Sequence, residues 1–432
     1  MITATDVGSS TMNKLLIPKE LLGLNDVDIL ESILTSNGEI IIKVTSTKED
    51  ILCRRCGKRC EAHGKGEPLK LRHLPILGHE TYIELIPPRG ICKHCEFRPT
   101  TTQTLSWYKP NGRYTKPYED HVLLSVVNST LTDVSIKEGL SDTAIQNIIN
   151  YNITDKVDWS KIKQIGIIGI DEISLKKGYQ DFVTVIYSRI NNTNKILAVL
   201  KGREKATIKT FFNSIPKKKR KTIVAVCCDM YDGYINAARE VFGSSVAVVV
   251  DRFHIAKLYR KSLLSLRKKE LKRLRKALNT EEYKLLQPAI SILVKKQECY
   301  TKKDKVELEL LFKYSPALKA AYKLARQLTS IFNGHHHKET AVKKINEWVA
   351  KVNDSKISCF NTFVTTIIKY KDEVSNYFIG RNTSGFVEGL NNKLKVIKRR
   401  CYGIVNRKNY FQRVFLDLEG YKLFLNNSAI AA

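Results

Sequence analysis

The amino-acid sequence predicts a mixed α/β protein built from several modules, and three observations support that prediction. The centre of the chain alternates buried strands with helices, beginning with an apolar strand at 166–173. A stretch from about 254 to 377 has no strand pattern and is helical and basic. Two C-x2-C pairs precede both regions. We therefore expect an α/β catalytic domain with an all-helical insertion, following a small cysteine-rich module.

The composition indicates a polyanionic partner. Lys and Arg number 73 against 43 Asp and Glu in 432 residues, which gives a formal charge of +30. Such an excess favours nucleic acid, with an anionic membrane surface as the rival. No apolar stretch reaches the roughly 18 residues of a membrane-spanning helix, and no signal segment opens the chain. We expect a soluble intracellular protein without a membrane partner.

The cysteine spacing predicts a zinc module at residues 39–108. Cys53-x2-Cys56 and Cys92-x2-Cys95 are two knuckles that together offer four thiolates to one tetrahedral Zn²⁺. A closed site of this kind is structural, so we assign it no catalysis. Metal-like spacing fits a reducing compartment better than a secreted disulfide scaffold does.

Alternatives to the four-cysteine site stay open. Cys60, His63 and His94 are possible substitute ligands, and free cysteines are the other interpretation. Strands are predicted at 39–45 and in the pattern around 69–86. Residues 1–38 are expected to be a weakly structured lead-in, in which five apolar residues predict a short docking helix: Leu21, Leu22, Leu24, Val27 and Leu30.

Residues 109–157 show helical periodicity. Helices are predicted at 121–127, 133–139 and 141–149, with Ser141 as an N-cap and Gly139 in the preceding turn. Three short helices with a tight turn are typical of a helix-turn-helix DNA-binding domain. Its third helix would present Asp142, Thr143, Gln146 and Asn147 to the major groove. The alternative is a three-helix module that only packs.

Residues 158–256 predict the first part of the catalytic domain. Strands at 166–173, 181–188 and 195–200 form an antiparallel meander, because 191–194 is rich in turn residues. After a helix at 205–214, buried strands at 222–228 and 245–250 flank a helix at 233–241. Three antiparallel strands followed by alternating helices and parallel strands is the order of the ribonuclease H-like fold.

Acidic residues follow the buried strands of this domain. Asp171 ends the first strand, and Asp229 ends the fourth. Functional groups gather at the carboxyl ends of strands in open α/β sheets. A buried unpaired charge is costly, so these carboxylates must be solvated, paired or bound to metal. Asp251, after the next strand, is the alternative to Asp229.

Residues 257–380 predict the helical insertion. Leucines recur at helical spacing between 263 and 278 amid many Lys and Arg, which indicates a basic amphipathic helix that is either solvated or contacts DNA phosphates. Further helices are predicted at 306–328 and 340–352. Three adjacent histidines at 335–337 resemble a metal site, but we interpret them as a solvated loop.

Residues 381–432 contain the final helix of the catalytic domain. Val387, Leu390, Leu394 and Ile397 form one apolar stripe on it, and Glu388 lies on a neighbouring polar stripe. A helix-terminal acid favoured by the macrodipole is the alternative for this glutamate. We predict DNA contacts from a set of polar and basic residues on this helix: Asn392, Lys395, Lys398, Arg399 and Arg400.

Several of these segments, taken together, resemble a known family. They are Ile170-Asp171-Glu172, Cys228-Asp229-Met230-Tyr231, Val250-Asp251-Arg252-Phe253-His254, Glu388-Gly389-Leu390-Asn391-Asn392-Lys393-Leu394-Lys395, Lys398-Arg399-Arg400 and Tyr402-Gly403. The sequence is similar to the DDE transposases of bacterial insertion sequences in the ISL-three family, over nearly the whole chain. The resemblance implies Asp171, Asp229 and Glu388 as the catalytic triad, and Asp251-x-x-His254 as a signature outside the metal triad.

The resemblance also implies a cofactor and partners. In-line phosphodiester displacement uses two divalent ions, and Mg²⁺ (or Mn²⁺) prefers carboxylate oxygen. His254 would order the site or contact the scissile region, with a packed structural histidine as the alternative. The expected partners are the terminal inverted repeats of the element, target DNA and a second copy of the chain, in a homodimer or larger assembly. We expect a cytoplasmic, nucleoid-associated bacterial protein.

The sequence is also compatible with two other functions. A metal-dependent nuclease or resolvase on the same fold would cut DNA without joining it. A non-catalytic DNA-binding regulator would retain the zinc and helix-turn-helix modules and use the sheet only as a scaffold. The presence of all three acidic candidates argues against the regulator.

Overall fold

The computed structural model describes residues 13–175, 182–191, 193–293, 295, 297–381 and 385–428. The chain divides into two compact units. Unit 1 comprises Met1–Thr154 and Gln412–Ala432, and unit 2 comprises Asp155–Phe411. Across the described ranges, we find no helix with the length and apolar character needed to cross a membrane.

Unit 1 begins with two small sheets. Their strands are β1 (Asn13–Lys14), β2 (Val27–Leu34), β3 (Ile40–Ser46), β4 (Glu61–Lys65), β5 (Leu69–Ile76), β6 (His79–Leu85), β7 (Pro88–Ile91) and β8 (Thr100–Thr102). One sheet has the order β1-β2-β3-β6-β5, and the other has the order β4-β7-β8. Ile42, Leu71 and Ile83 fill the core of the larger sheet, and each is at most 1% exposed.

The docking helix predicted within residues 21–30 is wrong. Val27–Leu34 is a strand paired antiparallel with β3, and the only helical turn in this region of the described chain is a 3-10 turn at Lys19–Leu22. A β-bulge between Ile29 and Glu31 shifts the strand register and leaves Leu30 68% exposed. The bulge breaks the period of two that identifies a strand, so the apolar spacing imitates a helix.

Three helices follow the sheets of unit 1, as predicted. They are α1 (Lys116–Val126), α2 (Leu131–Glu138) and α3 (Asp142–Asn152). Gly139 ends α2 in the left-handed conformation at φ 62°, and the Ser141 side chain accepts the Ala144 N–H at the start of α3. Both residues therefore have the capping roles that their types favour.

Unit 2 is built on a five-stranded mixed sheet with the order β11-β10-β9-β12-β13. Its strands are β9 (Gly166–Ser174), β10 (Phe182–Ile190), β11 (Thr193–Lys201), β12 (Ile223–Cys228) and β13 (Ala247–Val250). The helices between them are α4 (Lys205–Ser214), α5 (Lys217–Arg220) and α6 (Asp232–Phe242). The first three strands are antiparallel, and β12 is parallel to both neighbours, which confirms the predicted meander and the parallel pair.

The insertion is helical, as predicted. Its α-helices are α7 (Arg252–Ala277), α8 (Thr280–Ile292), α9 (Lys302–Tyr314), α10 (Pro316–Asn333), α11 (Lys338–Asp354), α12 (Asn361–Lys369), α13 (Lys371–Ser375) and α14 (Tyr377–Gly380), with 3-10 turns at Gln297–Cys299 and Ser358–Phe360. The helix predicted across 306–328 is broken at Ser315, because Pro316 begins α10 and the Ser315 side chain caps it.

Two helices complete the chain, α15 (Gly385–Arg400) and α16 (Arg407–Ser428). Leu390, Leu394 and Ile397 are at most 5% exposed, which confirms most of the apolar stripe predicted on α15. The first residues of α16, up to Phe411, are grouped with unit 2, and the rest with unit 1. In unit 1, Leu416 and Phe424 of α16 join the apolar core of the three helices.

Candidate active site and cysteine centre

Four cysteines in unit 1 meet in an arrangement suited to one metal ion. The Sγ atoms of Cys53 and Cys95 are 3.9 Å apart, and those of Cys56 and Cys92 are 3.6 Å apart. A tetrahedral Zn²⁺ with Zn–S bonds near 2.3 Å separates its sulfurs by about 3.8 Å. All four ligand atoms lie within 4.8 Å of one another. The cluster and the zinc-ribbon family match given below support a structural Zn²⁺ at these residues.

Backbone N–H groups of the two knuckles lie close to two of the cysteine sulfurs. The N–H groups of Arg55 and His94 lie 3.4 Å from the sulfurs of Cys53 and Cys92, respectively. Hydrogen bonds from the backbone N–H groups of Cys56 and Arg55 lower the pKa of Cys53 to about 6. A thiol with a lowered pKa is largely thiolate at neutral pH, the form that binds metal.

The substitute zinc ligands considered above are not part of this cluster. Within the described part of the chain, Cys53, Cys56, Cys92 and Cys95 are the only group of three or more potential metal ligands that meet. Cys60 is buried beside them, and burial raises the pKa of its thiol. The three histidines at 335–337 lie in a loop between α10 and α11, and they form no such group.

The carboxyl ends of two parallel strands in unit 2 bring Asp171 and Asp229 to the same level of the sheet. Gly169 of β9 pairs with Cys227 of β12, and each aspartate lies two residues further along its strand direction. Asp229 directly follows the end of β12, as predicted. Asp171 does not end its strand, because β9 continues to Ser174 through its pairing with β10.

His254 links the second aspartate to the next element. Its Nε2 lies 2.8 Å from Oδ1 of Asp229 and 4.0 Å from Oδ2 of Asp251. Asp251 accepts the backbone N–H of Phe253 at 2.9 Å and is the N-cap of α7. At 4% exposure it is far less accessible than Asp229, whose side chain is 33% exposed.

Burial and neighbouring negative charges shift the pKa values of Asp171 and His254. Burial, reinforced by the nearby Asp229 carboxylate, raises the pKa of Asp171 to about 6. Burial disfavours the charged form of His254, but the hydrogen bond that it donates to Asp229, together with the negative charges of Asp229, Asp251 and Asp171, outweighs burial and raises the pKa of the imidazole above its ordinary value. Two carboxylates in one half-buried place repel each other unless a cation or a proton lies between them.

Helix α15 contributes a residue that we did not predict from the sequence. Asn391 is only 6% exposed, and its Nδ2 donates a hydrogen bond to Oδ2 of Asp171. The other Asp171 oxygen accepts the backbone N–H of Glu172 at 2.6 Å. Glu388 lies on the same helix, but its side chain is outside the described residues. Helical spacing places Asn391 four residues after Val387 and three before Leu394, nearer the apolar stripe than Asn392, and this spacing is the signal that could have found it.

The basic residues predicted on α15 differ in exposure. Lys395 and Arg399 are exposed, whereas Lys398 is half-buried and its Nζ donates to the Ser174 carbonyl at 2.8 Å. Arg400 is also half-buried. A groove of about 790 Å³ runs between this helix and the end of β9; its lining includes Glu172, Ser174, Asn392, Lys395 and Arg399. Cations therefore line a groove along residues 172–174, which directly follow Asp171 in β9.

The two residues predicted on α3 also differ in exposure. Asn147 is exposed, but Gln146 is half-buried. The Gln146 Nε2 lies 3.3 Å from Oδ1 of Asn150 and 3.4 Å from Oε1 of Gln412 in α16. Asp142 and Thr143, at the start of the helix, are exposed as well.

Comparison with known proteins gives the class of this protein. Residues 168–414 match the transposase domain of the ISL-three (ISL3) family, and residues 49–95 match the zinc finger of the transposases IS204/IS1001/IS1096/IS1165. The first match covers more than half of the chain, so the chain belongs to the ISL-three family of transposases. The resemblance found in the sequence is confirmed.

Individual relatives match along most of their length. The chain is 23% identical over 377 residues to the transposase for insertion sequence element IS1001 of Bordetella parapertussis, which covers 86% of this chain and 90% of the relative. It is 21% identical over 434 residues to the transposase for insertion sequence element IS1557 of Mycobacterium tuberculosis, with 94% and 95% covered.

Proposed function

We propose that this chain binds the ends of an insertion sequence and carries out Mg²⁺-dependent DNA strand cleavage and strand transfer. Asp171, Asp229 and Glu388 are its acidic triad. The observation that supports this most strongly is the common level of Asp171 and Asp229 on adjacent parallel strands. Burial, with a smaller contribution from the Asp229 carboxylate, raises the pKa of Asp171. The strand order and directions match those of a ribonuclease H-like sheet, and we assign unit 2 to that fold.

The residues at this place fit a divalent cation with a preference for oxygen. Two carboxylates converge, and a third oxygen, Oδ1 of the buried Asn391, has no hydrogen-bond partner. Carboxylate and amide oxygens are the ligands that Mg²⁺ and Mn²⁺ take, together with water and substrate phosphate. When bound, such ions activate the attacking oxygen and stabilise the leaving oxygen of an in-line displacement.

Hydrogen bonds within the protein orient the carboxylates of Asp171 and Asp229. The Glu172 N–H and the Asn391 amide fix both oxygens of Asp171, so the carboxylate is oriented before substrate arrives. His254 holds Asp229 through Nε2 at 2.8 Å. With Asp251 engaged as a helix cap, these contacts favour Asp229 as the second acid, and they make His254 a positioning residue for it.

DNA recognition is assigned to both units. The α1–α3 helices of unit 1 have the lengths and the tight Gly139 turn of a helix-turn-helix, with Asn147 on the exposed side of the third helix. In unit 2, Lys395 and Arg399 line the groove beside the acids and suit phosphate contacts. Recognition of two element ends implies an assembly of at least two chains on DNA.

A strand-transfer assay tests the proposal. The substrate is DNA that carries the terminal repeats flanking the gene, with Mg²⁺ or EDTA. We expect Mg²⁺-dependent cutting and joining by the natural protein, and neither step by Asp171→Asn, Asp229→Asn or Glu388→Gln protein. Normal joining by any of these variants would reject that residue's role. Cutting without joining by the natural protein would instead favour a nuclease or resolvase.

A further inference from the structure

Asn391 is a polar residue of unit 2 whose side chain is buried, and only one of its two polar atoms has a hydrogen-bond partner. It is 6% exposed on a face of α15 that also buries Leu390 and Leu394. Its Nδ2 donates to Asp171, while its Oδ1 is buried without a hydrogen-bond partner. Buried polar atoms are nearly always bonded in folded proteins, so an exception of this kind requires an explanation.

The orientation of the amide follows from the chemistry of its neighbour. An ionised carboxylate can only accept hydrogen bonds, so the side of Asn391 that faces Asp171 must be the NH₂ group. The carbonyl oxygen is the other end of the same amide, and it is buried as well. A neutral oxygen without a hydrogen-bond partner, on a side chain that contacts the Asp171 carboxylate, suits a hard cation as an additional ligand.

We propose that Asn391 is a fourth residue of the divalent-cation site, and that it acts in two ways. Its NH₂ group orients the Asp171 carboxylate, and its Oδ1 supplies a neutral oxygen ligand to the ion. This inference rests on the proposed function, since it requires that Asp171 and Asp229 bind the cation. It assigns to α15 a contribution to the site that is separate from that of Glu388.

The adjacent residue provides a matched control. Asn392 has the same side chain on the same helix, but it is exposed and lines the groove. Replacing it removes an identical amide without touching Asp171. If Asn391→Ala weakens Mn²⁺ binding and Asn392→Ala does not, the loss comes from the buried contacts of Asn391. A change in helix propensity, or the loss of any amide on this helix, would affect both variants.

Binding of Mn²⁺ to the full-length protein without DNA tests this role independently of activity. The protein is loaded with zinc, and Mn²⁺ is titrated while free Mn²⁺ is followed by electron paramagnetic resonance. We expect Asn391→Ala to weaken Mn²⁺ binding about 10- to 100-fold, the range found when residues that orient metal ligands are removed. Asn392→Ala should bind as the natural protein does. Equal affinity of the Asn391→Ala and natural proteins would overturn the proposal.

A second variant keeps the test decisive if Asn391→Ala does not fold. Asn391→Asp retains the shape and the ligand oxygen, but it replaces the donor with a third negative charge. With the zinc centre loaded and no Mn²⁺ added, we expect a lower melting temperature than that of the natural protein, and a larger upward shift when Mn²⁺ is added. A melting temperature lowered by the same amount with and without Mn²⁺ would show that Asn391 serves packing alone and would overturn the proposal.

The same titration separates this inference from the proposed function. If Asp171→Asn and Asp229→Asn proteins bind Mn²⁺ as tightly as the natural protein, the cation site itself is wrongly placed and both proposals fail. If these two variants lose binding while Asn391→Ala retains it, only the role of Asn391 is rejected.

Discussion

The cysteine centre of unit 1 and the acidic site of unit 2 differ in how the chain builds them. Each pair of cysteines lies within one tight turn, and the four sulfurs come from a span of 43 residues between Cys53 and Cys95. The acidic site joins β9, β12 and α15, and the hydrogen bond from Asn391 to Asp171 spans 220 positions. A local site depends on turn geometry, whereas a distributed site depends on the whole sheet.

Breaking the cysteine centre should have the largest effect on folding. Cys53→Ser removes one of four thiolates, and the binding free energy of a structural zinc is also folding free energy. We expect loss of one equivalent of bound zinc and unfolding of the knuckle region, measured by metal analysis and proteolysis. Cys299→Ser is the control, because Cys299 is an exposed cysteine in unit 2. Retention of zinc by Cys53→Ser would contradict the four-cysteine assignment.

Removing a carboxylate from the acidic site should leave the fold intact and abolish activity. Asp229→Asn keeps the side-chain shape but loses the charge that binds the ion in the proposed function. Because metal ions contribute several kcal/mol of charge stabilisation, we expect strand cleavage to fall by at least about a thousandfold. The circular dichroism spectrum and zinc content should not change. A cleavage rate within about tenfold of the natural protein would exclude Asp229 from the metal site.

A methyl group added beneath the acids should destabilise unit 2. The Cβ of Gly169→Ala would clash with the ring of Tyr187, which is fully buried. Overpacking of this kind costs typically about 1–3 kcal/mol. Gly389→Ala on α15 is the control, since nothing lies within 4 Å of its Cβ. Chemical denaturation measures both variants, and equal stability would show that the sheet accommodates the methyl group.

The acidic site should also respond to pH. The pKa of Asp171 is raised to about 6 from its ordinary 3.8, so the metal-free folded state retains a proton that the unfolded chain releases. Protonation of Asp171 therefore stabilises the metal-free folded state. This stabilisation is fully present below pH 3.8 and is lost as pH rises through about 6. Binding of Mn²⁺ requires the ionised form, so its affinity should rise across the same window. A flat affinity between pH 5 and pH 7 would contradict the raised pKa.

The smallest expected effect concerns the groove. Lys395→Gln removes one exposed cation beside the acids, and we expect weaker DNA binding with the salt slope reduced by about 1. Lys305→Gln makes the same charge change at an exposed position on α9 in the insertion. Fluorescence anisotropy at several salt concentrations compares the two. Equal slopes would mean that Lys395 makes no phosphate contact.

The cysteine centre and the acidic site also differ in how far the sequence predicts them. The two zinc knuckles follow from spacing, because two residues between cysteines suit a tight turn, but the structure was needed to choose the four cysteines over Cys60, His63 and His94. Asp229 follows from a buried strand that ends in an acid. The strand at Val27–Leu34 was missed because its bulge disguises the period. Asn391 lies near the predicted apolar stripe of α15, but its hydrogen bond to Asp171 was missed because the two residues are far apart in sequence.

Segments distant in sequence are proposed to converge on one divalent cation, and Fe²⁺-mediated cleavage tests this convergence most directly. With added hydrogen peroxide as oxidant and ascorbate as reductant, Fe²⁺ bound in place of Mg²⁺ would generate hydroxyl radicals that cut the nearest backbone. We predict cuts close to residues 171, 229 and 391 in the same sample, suppressed by excess Mg²⁺ and absent from Asp171→Asn protein. Cuts confined to other segments, or unchanged cuts in that variant, would contradict the account.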